Sequence, residues 1–138
     1  MKKNKISFLV PKCDTKASNN QIQKLKNIYG NFELNECDVI VALGGDGFML
    51  EALHTAKTFS KPVYGMNRGT IGFLMNKFSS QNLLERINKA EETIIHPLQM
   101  RAEKVDGSIE EALAINEVSL LRSGPQAAKL RISIDGKL

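Results

Sequence analysis

Tryptophan is absent from this chain, and aromatic residues make up only 6% of it. Surfaces that grip single-stranded nucleic acid need aromatic platforms beside a dense basic stripe. Here the basic side chains are scattered apart from Lys2, Lys3 and Lys5, which argues against a nucleic-acid partner. Cysteine is nearly absent too: Cys13 and Cys37 have no CxxC spacing, so neither a zinc cluster nor a disulfide framework is expected, and a reduced cytoplasmic protein is the simpler reading. His54 and His96 have no cysteine or carboxylate at metal-ligand spacing, so no metal site built from protein side chains is expected. Long apolar runs are missing as well. No segment approaches the roughly 18 continuous apolar residues of a membrane span. The run Ile6 to Val10 is too short for the core of a signal peptide and is closed by Pro11.

What is present suits a folded protein: 42% hydrophobic and 25% charged residues in 138 positions, enough for one domain or for one small domain and part of a second. The formal charge of +4 is a mild bias toward anionic ligands.

Periodicity divides the chain in two. Ile6, Phe8, Leu9 and Val10 read as a strand buried on both faces. A helix follows with Ser18 or Asn19 as N-cap, Ile22, Leu25 and Ile28 on its inner face and Gly30 at its end. Val39 to Leu43 is uncharged and β-branched, as a central parallel strand requires. Met49, Leu50, Leu53 and Ala56 mark a second helix, and a strand through Val63, Tyr64 and Met66 follows Pro62. Ser79-Ser80 can cap a third helix whose inner positions are Leu83, Ile87 and Ala90, with Glu85 and Lys89 one turn apart on the other side. This alternation predicts an open parallel α/β sheet with right-handed crossovers. From Thr93 onward extended stretches are punctuated by Asp106-Gly107 and Asp135-Gly136, which favour tight hairpins. The expected organisation is a Rossmann-like α/β domain with an open parallel sheet over residues 1–96 and the start of an all-β, sandwich-like domain over 97–138. Leu130, Ile132 and Ile134 alternate with polar residues and then meet a turn with no return strand, so the second domain is expected to be truncated.

The chemistry is concentrated at Gly44-Gly45-Asp46-Gly47, between a buried strand and a helix, where open α/β sheets present their ligands. Glycines let backbone approach phosphate oxygens, and the free N–H groups of a helix start favour negative charge. A carboxylate there can accept a hydroxyl proton or help to hold Mg²⁺. The alternative is structural: Asp46 as a helix cap beside a tight turn. The pattern is neither the Walker phosphate loop nor GxGxxG.

The loop resembles the GGDG motif shared by NAD kinases, diacylglycerol and sphingosine kinases, and 6-phosphofructokinases. The segment Gly65-Met66-Asn67-Arg68-Gly69-Thr70-Ile71-Gly72-Phe73-Leu74 closely resembles the NxGxxGFL stretch of bacterial NAD kinases, and Ala114-Ile115-Asn116-Glu117-Val118 resembles their Asn-Glu motif. The three occur in family order over nearly the whole chain. The resemblance implies transfer of the terminal phosphoryl group of ATP, or of polyphosphate, to the 2′-hydroxyl of the adenosine ribose of NAD, giving NADP. It implies Asp46 as the base, Gly44, Gly45 and Gly47 along the phosphates, and Phe73 against a bound base. Asn116 and Glu117 would hydrogen-bond the dinucleotide, and Arg68 would meet phosphate. Mg²⁺ or another divalent cation, ATP and NAD are the expected cofactor and substrates, in a full-length homo-oligomer. Phe73 as core, Glu117 as an exposed strand charge and Arg68 as a surface ion pair are the structural alternatives. The family's downstream Gly-Ser-Thr-Ala-Tyr segment has no counterpart here, so the 138-residue chain alone is expected to be inactive. A lipid or sugar kinase sharing GGDG, or a non-catalytic nucleotide-binding domain, would use the same loop.

Overall fold

A strand that is apolar on both sides of its pleat belongs inside a sheet covered on both faces. In the computed structural model, which describes residues 2–12, 16–67 and 72–137 (backbone only for 16–19), Val39–Gly44 is that strand, with Val39 to Leu43 all buried. The elements before it are β1 (Ile6–Leu9) and α1 (Lys16–Tyr29), which make Val39–Gly44 β2. After it come α2 (Asp46–Phe59), β3 (Val63–Asn67), β4 (Asn76–Lys77) and α3 (Leu83–Lys89), then β5 (Leu98–Glu103) and β6 (Ile109–Ala114). The chain forms two compact units, residues 1–97 and 98–138.

The first unit is the expected open α/β sheet: β1-β2-β3-β4, every pair parallel, with Val41 opposite Phe8 on one side and Tyr64 on the other. The period-2 pattern sends alternate residues to opposite faces. Ile6, Phe8, Val39, Val41, Leu43, Tyr64 and Met66 cluster with Ile22 and Leu25 of α1 and Leu83 and Ile87 of α3. On the other face Ala42 packs with Met49 and Ala52 of α2, and Ile40 with Ala56 and Cys37. The result is a three-layer sandwich.

This arrangement corrects one expectation. In a sheet ordered sequentially, right-handed crossovers would put α1 and α2 on the same face. They lie on opposite faces, so one of the two crossovers has the other hand. The first connection is lengthened by the stretch 30–38: the Phe32 N–H donates to Ile6 O (2.9 Å) and the Phe8 N–H to Asn31 Oδ1 (2.9 Å), so the chain skirts β1 before it enters β2. In doubly wound sheets, ligands bind at the carboxyl ends of neighbouring strands whose helices lie on opposite faces.

Several local expectations shift. Helix α1 begins at Lys16, so Ser18 and Asn19 lie inside it, and Ile28 is exposed while Ile22 and Leu25 are buried. Gly30 ends the helix in the left-handed region (φ 76°), its N–H on Lys26 O. The N-cap of α3 is Asn82, not Ser79 or Ser80, and Ala90 is exposed beyond the helix end. Ser79 instead accepts from the Gln81 N–H. What orders this corner is Tyr29, whose hydroxyl donates to Ser80 O (2.7 Å) and accepts from the Leu83 N–H (3.1 Å). Arg86 adds hydrogen bonds to Lys77 O and Ser79 O and lies over the Tyr64 ring.

The second unit is a hairpin. Strands β5 and β6 pair antiparallel from Leu98↔Ala114 to Glu103↔Ile109, and Asp106-Gly107 forms the turn, with Gly107 at φ 80°. Asp135 (φ 51°) and Gly136 (φ 76°) make the expected I′-type turn, closed by a bridge between Ile134 and Lys137. Leu130, Ile132 and Ile134 are exposed, and apart from that bridge no ladder forms along them among the described residues.

Two measurements test this packing. Tyr29→Phe strands a backbone N–H and a carbonyl, and we expect a loss of about 1–3 kcal/mol in chemical denaturation. The N–H groups of Lys5 and Asn4 on Asp38 Oδ2 hold that carboxyl below its usual range. A depressed folded pKa contributes stability above the unfolded value of about 3.9 and loses it as pH falls through the folded value. The denaturation midpoint should therefore drop on acidification below about pH 4, and more gently in Asp38→Asn.

Candidate functional site

Because β2 is buried to Leu43, its carboxyl end delivers Gly44 to the rim of the sheet, beside Asn67 of β3. Gly45 is the extended N-cap of α2 (φ −108°, ψ −175°) and makes no side-chain cap bond. Asp46 is the first residue of the helix. Its carboxylate accepts the Phe73 N–H on Oδ2 (2.9 Å) and the Leu74 N–H on Oδ1 (3.1 Å). The hydrogen bonds of Asp46 thus run to another loop and not to its own helix start, which removes the capping alternative. The side chain is half-buried, at the positive end of a 14-residue helix.

The glycines separate by physical role. A Cβ on Gly44 would lie 2.9 Å from Phe48 Cβ and Cδ1, so this glycine is demanded by packing. On Gly45 or Gly47 a Cβ would meet nothing within 4 Å. Neither has a positive φ, and Gly47 weakens the first turn of α2 by about 0.5–1 kcal/mol relative to alanine. Packing gives no reason for glycine at these two positions, whereas a ligand approaching the backbone would.

Phe73 is fully exposed at 102%, so it is not core. Loop 72–75 folds back on β3 at Gly65, where a Cβ would collide with Met75 and stand 3.1 Å from Met49 Sδ. Asn76 Nδ2 donates to Gly65 O (3.2 Å), pinning the loop's end. The sequence assigned Gly65, Gly72 and Leu74 no individual roles, although all three lie in the segment that resembles the NxGxxGFL stretch. Arg68 lies outside the described residues. In the second unit, taken by itself, Asn116 and Glu117 are exposed in a bend after β6, with Asn116 Nδ2 on Glu117 Oε2 (3.0 Å). Asn116 thus lies beyond the end of β6, and its side-chain partner is its neighbour. Among the described residues no group of three or more His, Cys, Asp or Glu could hold a metal ion, and no helix is long and apolar enough to cross a membrane.

Fold and site together define an open α/β domain with a glycine-aspartate loop at the carboxyl rim of its sheet. Comparison with known proteins makes this specific: the model of the ATP-NAD kinase N-terminal domain matches residues 3–95, and the chain belongs to that family. It is 54% identical over 134 residues to an NAD kinase of Caulobacter vibrioides, covering 96% of this chain and 52% of the relative. Against an NAD kinase of Cereibacter sphaeroides the identity is 58% over 110 residues, 80% of this chain and 43% of the relative. Against one of Brucella suis it is 49% over 138 residues, 100% of this chain and 54% of the relative. The chain thus spans about half the length of these curated relatives.

Glycine substitutions discriminate the two roles. Gly44→Ala should destabilise the unit by about 1–3 kcal/mol through overpacking against Phe48. Gly47→Ala should be neutral or stabilising by up to about 1 kcal/mol. Equilibrium denaturation of the two variants checks both.

Proposed function

We propose that residues 1–96 form the nucleotide-binding domain, and 97–138 the beginning of the C-terminal β domain, of an enzyme that phosphorylates the 2′-hydroxyl of the adenosine ribose of NAD with ATP. The observation that carries the reading is the Asp46 carboxylate, fixed at the rim of the sheet beside two glycines that packing does not require. A ribose hydroxyl is a poor nucleophile at neutral pH, so it needs a positioned proton acceptor and an in-line phosphoryl group. A carboxylate has about four lone-pair positions. Two amides occupy two of them on Asp46, which leaves room for a hydroxyl.

In the step, the ribose O2′–P bond forms, the bond from the terminal phosphorus to the bridging oxygen of ATP breaks, and the hydroxyl proton passes to Asp46. The backbone at Gly44, Gly45 and Gly47 lines the phosphates, Phe73 offers its exposed ring to a base, and Arg68 meets phosphate charge. Asn116 and Glu117 hydrogen-bond the dinucleotide. Asp46 is an oxygen donor suited to Mg²⁺. A divalent cation on the ATP phosphates would neutralise their charge. The reading extends to a homo-oligomer in the cytoplasm, as the family resemblance implies.

The test is NADP formation from NAD and Mg²⁺-ATP by the full-length gene product and its Asp46→Asn variant. We expect a fall of about 10²- to 10⁴-fold in kcat with NAD still bound. Equal turnover by both removes Asp46 as the base. NAD binding without turnover by either points to a nucleotide sensor.

A further inference from the structure

We propose that Gly72 is a positioning residue for Asp46: a residue without a side chain at 72 lets two consecutive amides hold the reactive carboxylate. The inference rests on the reaction proposed above. A first-turn aspartate usually spends its oxygens on free N–H groups of its own helix. Asp46 accepts from the Phe73 and Leu74 N–H groups instead, one on each oxygen, at 2.9 and 3.1 Å. Two bonds to two oxygens fix the carboxylate plane, which a single bond would leave free to turn. The geometry exists only because backbone passes very close at position 72. A Cβ on Gly72 would stand 2.8 Å from Asp46 Cγ and 2.9 Å from Oδ2, closer than real Cβ contacts. The space a side chain would take at Gly72 is filled by the carboxylate itself.

Phe73 then has two connections in one residue. Its amide holds Oδ2, and its ring stands wholly exposed. A base seated on that ring is therefore tied through one residue to the proton acceptor. Misplacing a reacting group by about 1 Å can cost about 10²-fold in rate, so an error at Gly72 should appear in turnover more than in substrate capture.

The experiment uses the full-length gene product and reads the clamp and the chemistry separately. Amide hydrogen exchange at Phe73 and Leu74, followed by NMR without substrate, should show protection that Asp46→Asn and Gly72→Ala both abolish. In turnover, Gly72→Ala should lower kcat about 10- to 100-fold, and in the Asp46→Asn background it should cost nothing further. If Gly72→Ala does not fold, replacing Leu74 with its α-hydroxy acid deletes one N–H without adding bulk. That variant should lower kcat with the KM for NAD unchanged. The proposal is overturned by unprotected amides in the parent, by protection that survives Asp46→Asn, or by a Gly72→Ala loss that persists in full without the carboxylate. A parent that makes no NADP yet shows Asp46-dependent protection overturns the kinase reading while leaving the clamp itself in place.

Discussion

The burial of β2 is the constraint on which the site depends. Val39 to Leu43 are enclosed by neighbouring strands at their edges and by helices on both faces, so the strand cannot slide or rotate without exposing several apolar side chains. A one-residue slip would exchange the faces of the whole run and place Ile40 and Ala42 against α1. Everything after Leu43 therefore starts from a fixed point. Gly44 reaches the rim, Gly45 turns the chain, and Asp46 begins a helix whose direction is set by Met49, Ala52 and Ala56 against the opposite face.

A second fixed point is Gly65, at the middle of β3. Its missing side chain lets Met75 and Leu74 return over the strand they have just left, and Asn76 fastens the return to the Gly65 carbonyl. Loop 72–74 is thus held from below by the sheet and from the side by the Asp46 carboxylate. The two supports reach the same place from different strands, β2 through the helix start and β3 through the loop. A carboxylate held in this way loses little further freedom when a substrate binds, which is the condition for an efficient proton acceptor.

Much of the first unit was legible because its signals are local. The uncharged run at Val39, the helical spacing of Ile22 and Leu25, and the glycine after Tyr29 are each read within one element. Helix starts were harder. Ser18, Asn19, Ser79 and Ser80 have capping chemistry, yet α1 begins earlier and α3 begins at an asparagine, because Tyr29 bonds across to Ser80 and Leu83 and decides where that helix can start. The crossover hand was illegible for a related reason. It depends on where residues 30–38 travel, and a Phe32 to Ile6 hydrogen bond leaves no periodic trace. At the site, the loop and Asp46 could be read from composition and position, whereas the role of Gly72 lies in a contact between residues 27 and 28 positions apart.

Phe73 shows how stability and function part at this site. An aromatic side chain left entirely in water forgoes about 1.5–3 kcal/mol that burial would contribute. Phe73 belongs to none of the apolar clusters of this unit, so its ring adds nothing to the core. Glycine at 47 makes the same point from the other direction, since alanine would fit there and would strengthen the first turn of the helix. Phe73 and Gly47, both near Asp46 in space or sequence, are thus worse for folding than simple alternatives. On the proposed reading each suits a flat, negatively charged ligand, with an open ring for a base and bare backbone for phosphates. Costs that converge on one carboxylate are what a binding surface requires and a packing surface does not.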